Sequence, residues 1–173
     1  NKVRKMFDLD TDFTMINEQF SKDEILSRGM DEGHVPRLPI AYNPFEHTIR
    51  AILGQQITVK AATTLAGRIV EKVGIKTPTD FPEGLGYHFP TPEELINMDL
   101  EGIGITKTRQ RTIENVVNAI VNKQVSLTVN QSFDAFHKKF STLKGVGDWT
   151  VNYVAMRGMG MVDTFPAKDL GII

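Results

Sequence analysis

The chain has 173 residues, 40% of them hydrophobic and 24% charged, enough apolar sequence for a packed core in one domain or two small ones and too much for a disordered chain. Lys plus Arg number 20 against 21 Asp plus Glu, a formal charge of −1, which excludes a uniformly basic nucleic-acid coat but not a local basic face. The absence of cysteine excludes disulfides, zinc–cysteine sites and a thiol nucleophile within this chain.

The four histidines, His34, His47, His88 and His137, are scattered and form no HExxH pair. No apolar run reaches the roughly 18 residues of a membrane helix, and no signal peptide opens the chain. The expectation is an intracellular protein that meets no membrane, in cytoplasm or nucleoid if bacterial and in the nucleus if eukaryotic. Asn1 stands where Met would, and Ile173 falls in mid-pattern, so truncation at both ends is expected.

A helix is expected over 10–28, with Ser21 three residues ahead of Glu24 as a capping pattern. Asn43-Pro44-Phe45-Glu46 and Thr91-Pro92-Glu93-Glu94 repeat that spacing and add Pro at the first helical position, where its missing N–H costs nothing. Phe45, Ile49, Ile52 and Leu53 follow at helical spacing. Ile57, Ala61, Leu65, Ile69 and Val73 make a second stripe, and Ile113, Val116, Val117, Ile120 and Val121 a third. Ser132 opens a fourth helix through Phe133, Phe136 and Phe140. Residues 74–90, with three Gly and three Pro, read as a long loop, and Val125–Val129 is too short to build a sheet on. The predicted fold is all-α, a bundle of short helices.

Charge is segregated along the chain. Residues 47–76 and 102–123 are basic, and residues 77–101 carry six acidic side chains and no basic one. This pattern fits either one face for a polyanion or ordinary solvated helix faces.

Leu143-Lys144-Gly145-Val146-Gly147-Asp148-Trp149-Thr150 carries the chemistry. Two glycines around one aliphatic residue make a tight turn, Val146 pins it to the core, and a new helix starts at about Asp148, which reads as its N-cap. Free N–H groups at the positive end of that helix form a phosphate site that needs no basic side chain. The similar Leu100-Glu101-Gly102-Ile103-Gly104-Ile105 lacks such companions and reads as a helix connection.

Leu143–Thr150 resembles the helix-hairpin-helix motif of the DNA glycosylase superfamily. Phe165-Pro166-Ala167-Lys168-Asp169-Leu170-Gly171 resembles the segment carrying that superfamily's catalytic aspartate. Asn43 through Glu46 and Ile52 through Ala62 are similar to the first core helices of its alkylation-repair branch, 3-methyladenine-DNA glycosylase II.

The resemblance covers residues 36–173, a glycosylase domain incomplete at its C-terminus. Residues 1–35 are then an N-terminal helical segment, the tail of a missing preceding domain. It implies excision of alkylated purines of the 3-methyladenine and 7-methylguanine type from double-stranded DNA, as base-excision repair by a monomer. The implied roles are Asp169 as catalytic carboxylate, Trp149 and Tyr153 as walls of the base pocket, and Gly145, Gly147 and Thr150 as the phosphate-binding hairpin. Gln56 occupies the wedge position, with Ile57 as a substitute. The main-chain carbonyls of Ser141, Leu143 and Val146 match positions that hold a monovalent cation, sodium or potassium, and no other cofactor is required. Branches that also cut the backbone place a lysine nucleophile where Trp149 stands, so the resemblance implies a monofunctional enzyme.

Taken singly, Trp149 and Tyr153 also fit core aromatics, and Asp169 a helix cap. Gln55 and Gln56 also fit exposed helix ends, and Arg109 and Arg111 surface residues. Two other readings of the whole remain: a non-catalytic helix-hairpin-helix DNA-binding module, and a glycosylase-lyase for oxidised bases.

Overall fold

A computed structural model describes residues 2–169 and 171. As expected, the fold is all-α: among the described residues there are eight α-helices and no strand, with isolated bridges at Asp31–His34 and Lys76–Tyr87. No helix among the described residues is long and apolar enough to cross a membrane.

The chain divides into two compact units, Asn1–Tyr42 and Asn43–Ile173. The first holds α1 (Lys2–Met6), α2 (Thr14–Lys22) and a 3-10 turn at Leu26–Gly29, none of which buries a residue. The break falls after residue 42 and not after 35 because the intervening segment hydrogen-bonds back within the first unit. The Ile40 N–H donates to the Met6 carbonyl at 2.9 Å, and the Leu38 N–H to the Asp8 carboxylate at 3.3 Å.

Ser21 does not start a helix. It lies inside α2 with its hydroxyl on the Glu18 carbonyl, while the Asp23 carboxylate takes the Ile25 and Leu26 N–H groups at 2.8 and 2.9 Å and caps the 3-10 turn. A Ser–x–x–Glu spacing starts a helix only where the preceding backbone is not already helical.

The second unit contains α3 (Pro44–Leu53), α4 (Val59–Val73), α5 (Pro92–Leu95), α6 (Lys107–Val121), α7 (Phe133–Phe140) and α8 (Asp148–Tyr153). Caps mark their starts. The Asn43 side chain accepts from the Phe45 and Glu46 N–H groups, Thr91 and Glu94 form a complete capping box, and Ser132 caps α7. Ile49, Ile52 and Leu53 of α3 are fully buried, as are Ile69 of α4, Ile113, Val116 and Val117 of α6, and Phe136 and Phe140 of α7. These side chains form one core, and α3 packs against α4, α6 and α8. After Tyr153 the helix widens into a π turn, Val154–Met159, that packs on α3 and ends at Gly160 with φ +78°. Such widenings recur at functional sites because they re-aim the side chains around them.

Candidate active site

The hairpin is built from α7, its turn and α8. The Leu143 N–H donates to the Phe140 carbonyl at 3.2 Å, and the Val146 N–H to the Leu143 carbonyl at 3.0 Å. Val146 is 7% exposed and anchors the turn as expected. Gly145 has φ +93°, and a Cβ there would lie 1.9 Å from Thr112 Oγ1 of α6, so the backbone lies directly on that hydroxyl.

The N-cap of α8 is Gly147, not Asp148. Asp148 is already helical, and its carboxylate pairs with His137 Nε2 at 3.1 Å, which removes it from capping duty. No side chain caps α8, and its ladder begins with the Val151 N–H on the Gly147 carbonyl at 3.1 Å. Helix geometry therefore leaves the N–H groups of Asp148, Trp149 and Thr150 without intrahelical partners at the positive end of the helix dipole. Thr150 as a whole is buried, and its hydroxyl accepts a hydrogen bond from Gln55, so it supports the turn from inside. The Ser141, Leu143 and Val146 carbonyls follow the C-terminus of α7, the negative end of its dipole. Carbonyl oxygens are the donors that a hard cation takes, and the Leu143 carbonyl keeps a lone pair beyond its bond to Val146.

Twenty residues beyond Trp149, Asp169 returns to the hairpin. Trp149 Nε1 donates to one carboxylate oxygen at 2.7 Å, and the Gly171 N–H donates to the other at 2.8 Å. These donors, Gly171 first and Trp149 second, hold the Asp169 carboxyl below the usual carboxylate range. Leu170 of this motif lies outside the described residues.

The Trp149 indole stacks on Tyr153 with centroids 4.9 Å apart and planes 13° apart. They meet because residues four apart share a helix face. His47 of α3 extends the column, its ring 4.9 Å from that of Tyr153. Burial, then the charges of Arg157 and Arg50, push the His47 imidazole down to about 4, against an opposing hydrogen bond with the Tyr153 main chain, so it is neutral at pH 7. Its Nε2 is buried without a hydrogen-bond partner. Sequence reasoning missed His47, whose place among scattered histidines carries no signal before α3 meets the π turn.

Gln56 lies at the exposed turn after α3 with φ +57°, a left-handed conformation that costs a non-glycine residue about 1–2 kcal/mol. Ile57 beside it is 36% exposed. Gln55 is half-buried and turned inward, and Arg109 is half-buried, its guanidinium donating to the Gln55 carbonyl, so neither is the simple surface residue the sequence allowed. Arg68 and Lys72 likewise donate to the Ile103 and Glu101 carbonyls. Part of the basic character of 47–76 and 102–123 is thereby spent on holding loops.

The site is thus a helix-hairpin-helix turn beside an aromatic stack that binds a carboxylate, set in an all-α domain. The chain belongs to the HhH-GPD superfamily of base excision DNA repair proteins, whose family model matches residues 49–173.

It is 35% identical over 171 residues to a Mycobacterium tuberculosis protein named probable bifunctional transcriptional activator/DNA repair enzyme AlkA, covering 99% of this chain and 34% of that protein. It is 30% identical to DNA-3-methyladenine glycosylase 2 of Escherichia coli, covering 97% of this chain and 57% of that protein. The chain thus spans between about a third and just over half of these relatives.

Among solved structures it superposes on 3-methyladenine DNA-glycosylase from Archaeoglobus fulgidus with a TM-score of 0.79 at 24% identity, covering 98% of this chain and 58% of that one. The apo 8-oxoguanine glycosylase/lyase of Clostridium acetobutylicum gives 0.82 at 20%, covering 98% and 60%. At those identities the likeness is one of fold.

Proposed function

We propose that this chain carries the catalytic domain of a monofunctional DNA glycosylase that releases alkylated purines from duplex DNA. The observation that carries the reading is the Asp169 carboxylate, ionised and held 2.7 Å from Trp149 Nε1 at the mouth of the hairpin helix.

A base inside a duplex is out of reach, so the nucleotide must be extruded at a cost of a few kcal/mol, less for a damaged base. In this reading Gln56 enters the vacated space, and the N–H groups of Asp148 and Trp149, which follow Gly147 at the start of α8, grip the phosphate. A sodium or potassium ion on the Ser141, Leu143 and Val146 carbonyls would add positive charge at the same strand. N-alkylated purines are cationic and leave without prior protonation, so no general acid is required.

As the C1′–N bond breaks, the departing base takes the bonding pair and becomes neutral. The ionised Asp169 then faces the positive charge left on the sugar. Water adds to C1′ and gives its proton to the carboxylate, which passes it to solvent. This is a one-carboxylate form of glycoside hydrolysis. The electron-rich Trp149–Tyr153 stack suits a flat cation, at about 0.5–2 kcal/mol per cation–π contact. Trp149 has no amine for a Schiff base, which supports hydrolysis without strand cleavage.

The test is chromatography of bases released from methylated DNA. Free 3-methyladenine or 7-methylguanine is expected, and release of neither from duplex DNA would overturn the proposal.

A further inference from the structure

Three side chains that this mechanism does not use join the Gln56 turn to the hairpin. Gln55 Nε2 donates to the Gly145 carbonyl and to Thr150 Oγ1, both at 3.1 Å, across some 90 residues of sequence. Arg109 of α6 holds the Gln55 carbonyl from behind. Thr112, three residues further and so on the same face of α6, is 3% exposed and is the surface on which Gly145 rests. The two turns that the proposed function assigns to DNA are thus cross-linked by one amide and backed by one helix face. Gln55 being half-buried and doubly bonded also explains how Gln56 is kept in its left-handed conformation, with its side chain exposed.

We infer that Gln55, braced by Arg109, is a positioning residue that fixes the distance between the inserted side chain at 56 and the phosphate gripped at the hairpin. The inference rests on the glycosylase reading. It makes extrusion of the nucleotide the step that depends on Gln55. Bond cleavage at an already exposed nucleotide does not depend on it, since Gln55 contacts neither Asp169 nor the Trp149–Tyr153 stack through any of these bonds.

The experiment compares excision of 7-methylguanine from a fully paired duplex and from the same sequence with the lesion in a one-nucleotide bulge, using the full chain and its Gln55→Leu variant. Loss of two neutral hydrogen bonds predicts a fall of about tenfold in the duplex-to-bulge rate ratio. Should Gln55→Leu fail to fold, Arg109→Met carries the same comparison, because it frees the same turn without touching the hairpin. An unchanged ratio, whether both rates fall together or neither does, overturns the inference. A wild-type chain that releases no base from either substrate overturns the glycosylase reading instead.

Discussion

The two hairpin glycines occupy different physical situations, so Gly145→Ala and Gly147→Ala should behave oppositely. At Gly145 the new methyl must tolerate φ +93° and a position 1.9 Å from Thr112 Oγ1 and 2.8 Å from its Cβ and Cγ2. The dihedral costs about 1–2 kcal/mol. Forcing Thr112 and α6 aside costs about 1–3 kcal/mol more. A total of about 2–5 kcal/mol is a large share of a domain's typical 5–15.

At Gly147 the backbone is extended (φ −92°, ψ 171°) and the added methyl meets nothing within 4 Å. Reduced freedom of the unfolded chain contributes a stabilising few tenths to 1 kcal/mol, offset by about 0.5 kcal/mol for a poorer N-cap, so stability stays within about 0.5 kcal/mol of wild type. Nothing inside the protein demands glycine there. Its absent side chain matters on the outside, where the phosphate would approach. Urea unfolding followed by the fluorescence of Trp149, the single tryptophan, measures the first effect. Binding to duplex DNA with an abasic-site analogue measures the second. Gly145→Ala should lower the midpoint sharply, while Gly147→Ala should keep it and weaken binding. Equal midpoints, or Gly147→Ala binding as tightly as wild type, would refute the reasoning.

The half-buried His47 sets a pH dependence of stability. The unfolded chain protonates this group near 6.5 and the folded one only near 4, so the unfolded state binds the extra proton between those values and stability falls as pH falls. The loss approaches about 3 kcal/mol at pH 4, and His47→Phe should remove it. Parallel urea titrations from pH 7.5 to 4.5 that keep the same slope in the variant would contradict this. Trp149→Phe deletes a hydrogen bond to the Asp169 carboxylate. Its pKa should rise toward the ordinary carboxylate range, and the acidic limb of base release should shift to higher pH in a pH–rate profile. Borohydride added to the protein on damaged DNA should trap no covalent adduct. A cross-linked band on a denaturing gel would place the chain with the glycosylase-lyases.

Much of the scaffold was legible because it is written in local chemistry. Asn43-Pro44, the Thr91–Glu94 box and Ser132 each act within one helical turn, and the Gly145–Val146–Gly147 bend needs no distant partner to be recognised. The misreadings came where a local pattern competes with a tertiary contact. Asp148 looks like a cap until His137 takes its carboxylate, and Ser21 looks like a helix start until the preceding turn proves helical. Arg109 reads as a surface residue and Gln55 as an exposed helix end because their partners lie across the fold. The π turn after Tyr153 was equally hidden, since an inserted residue leaves the apolar composition of Val154–Met159 unchanged.

The central claim is that one carboxylate breaks the glycosidic bond while the hairpin holds the strand, and Asp169→Asn tests it most directly. The amide is nearly isosteric but carries no charge, so the variant should release no methylated purine from duplex DNA yet bind an abasic-site duplex as wild type does. Base release at the wild-type rate by Asp169→Asn would contradict the account.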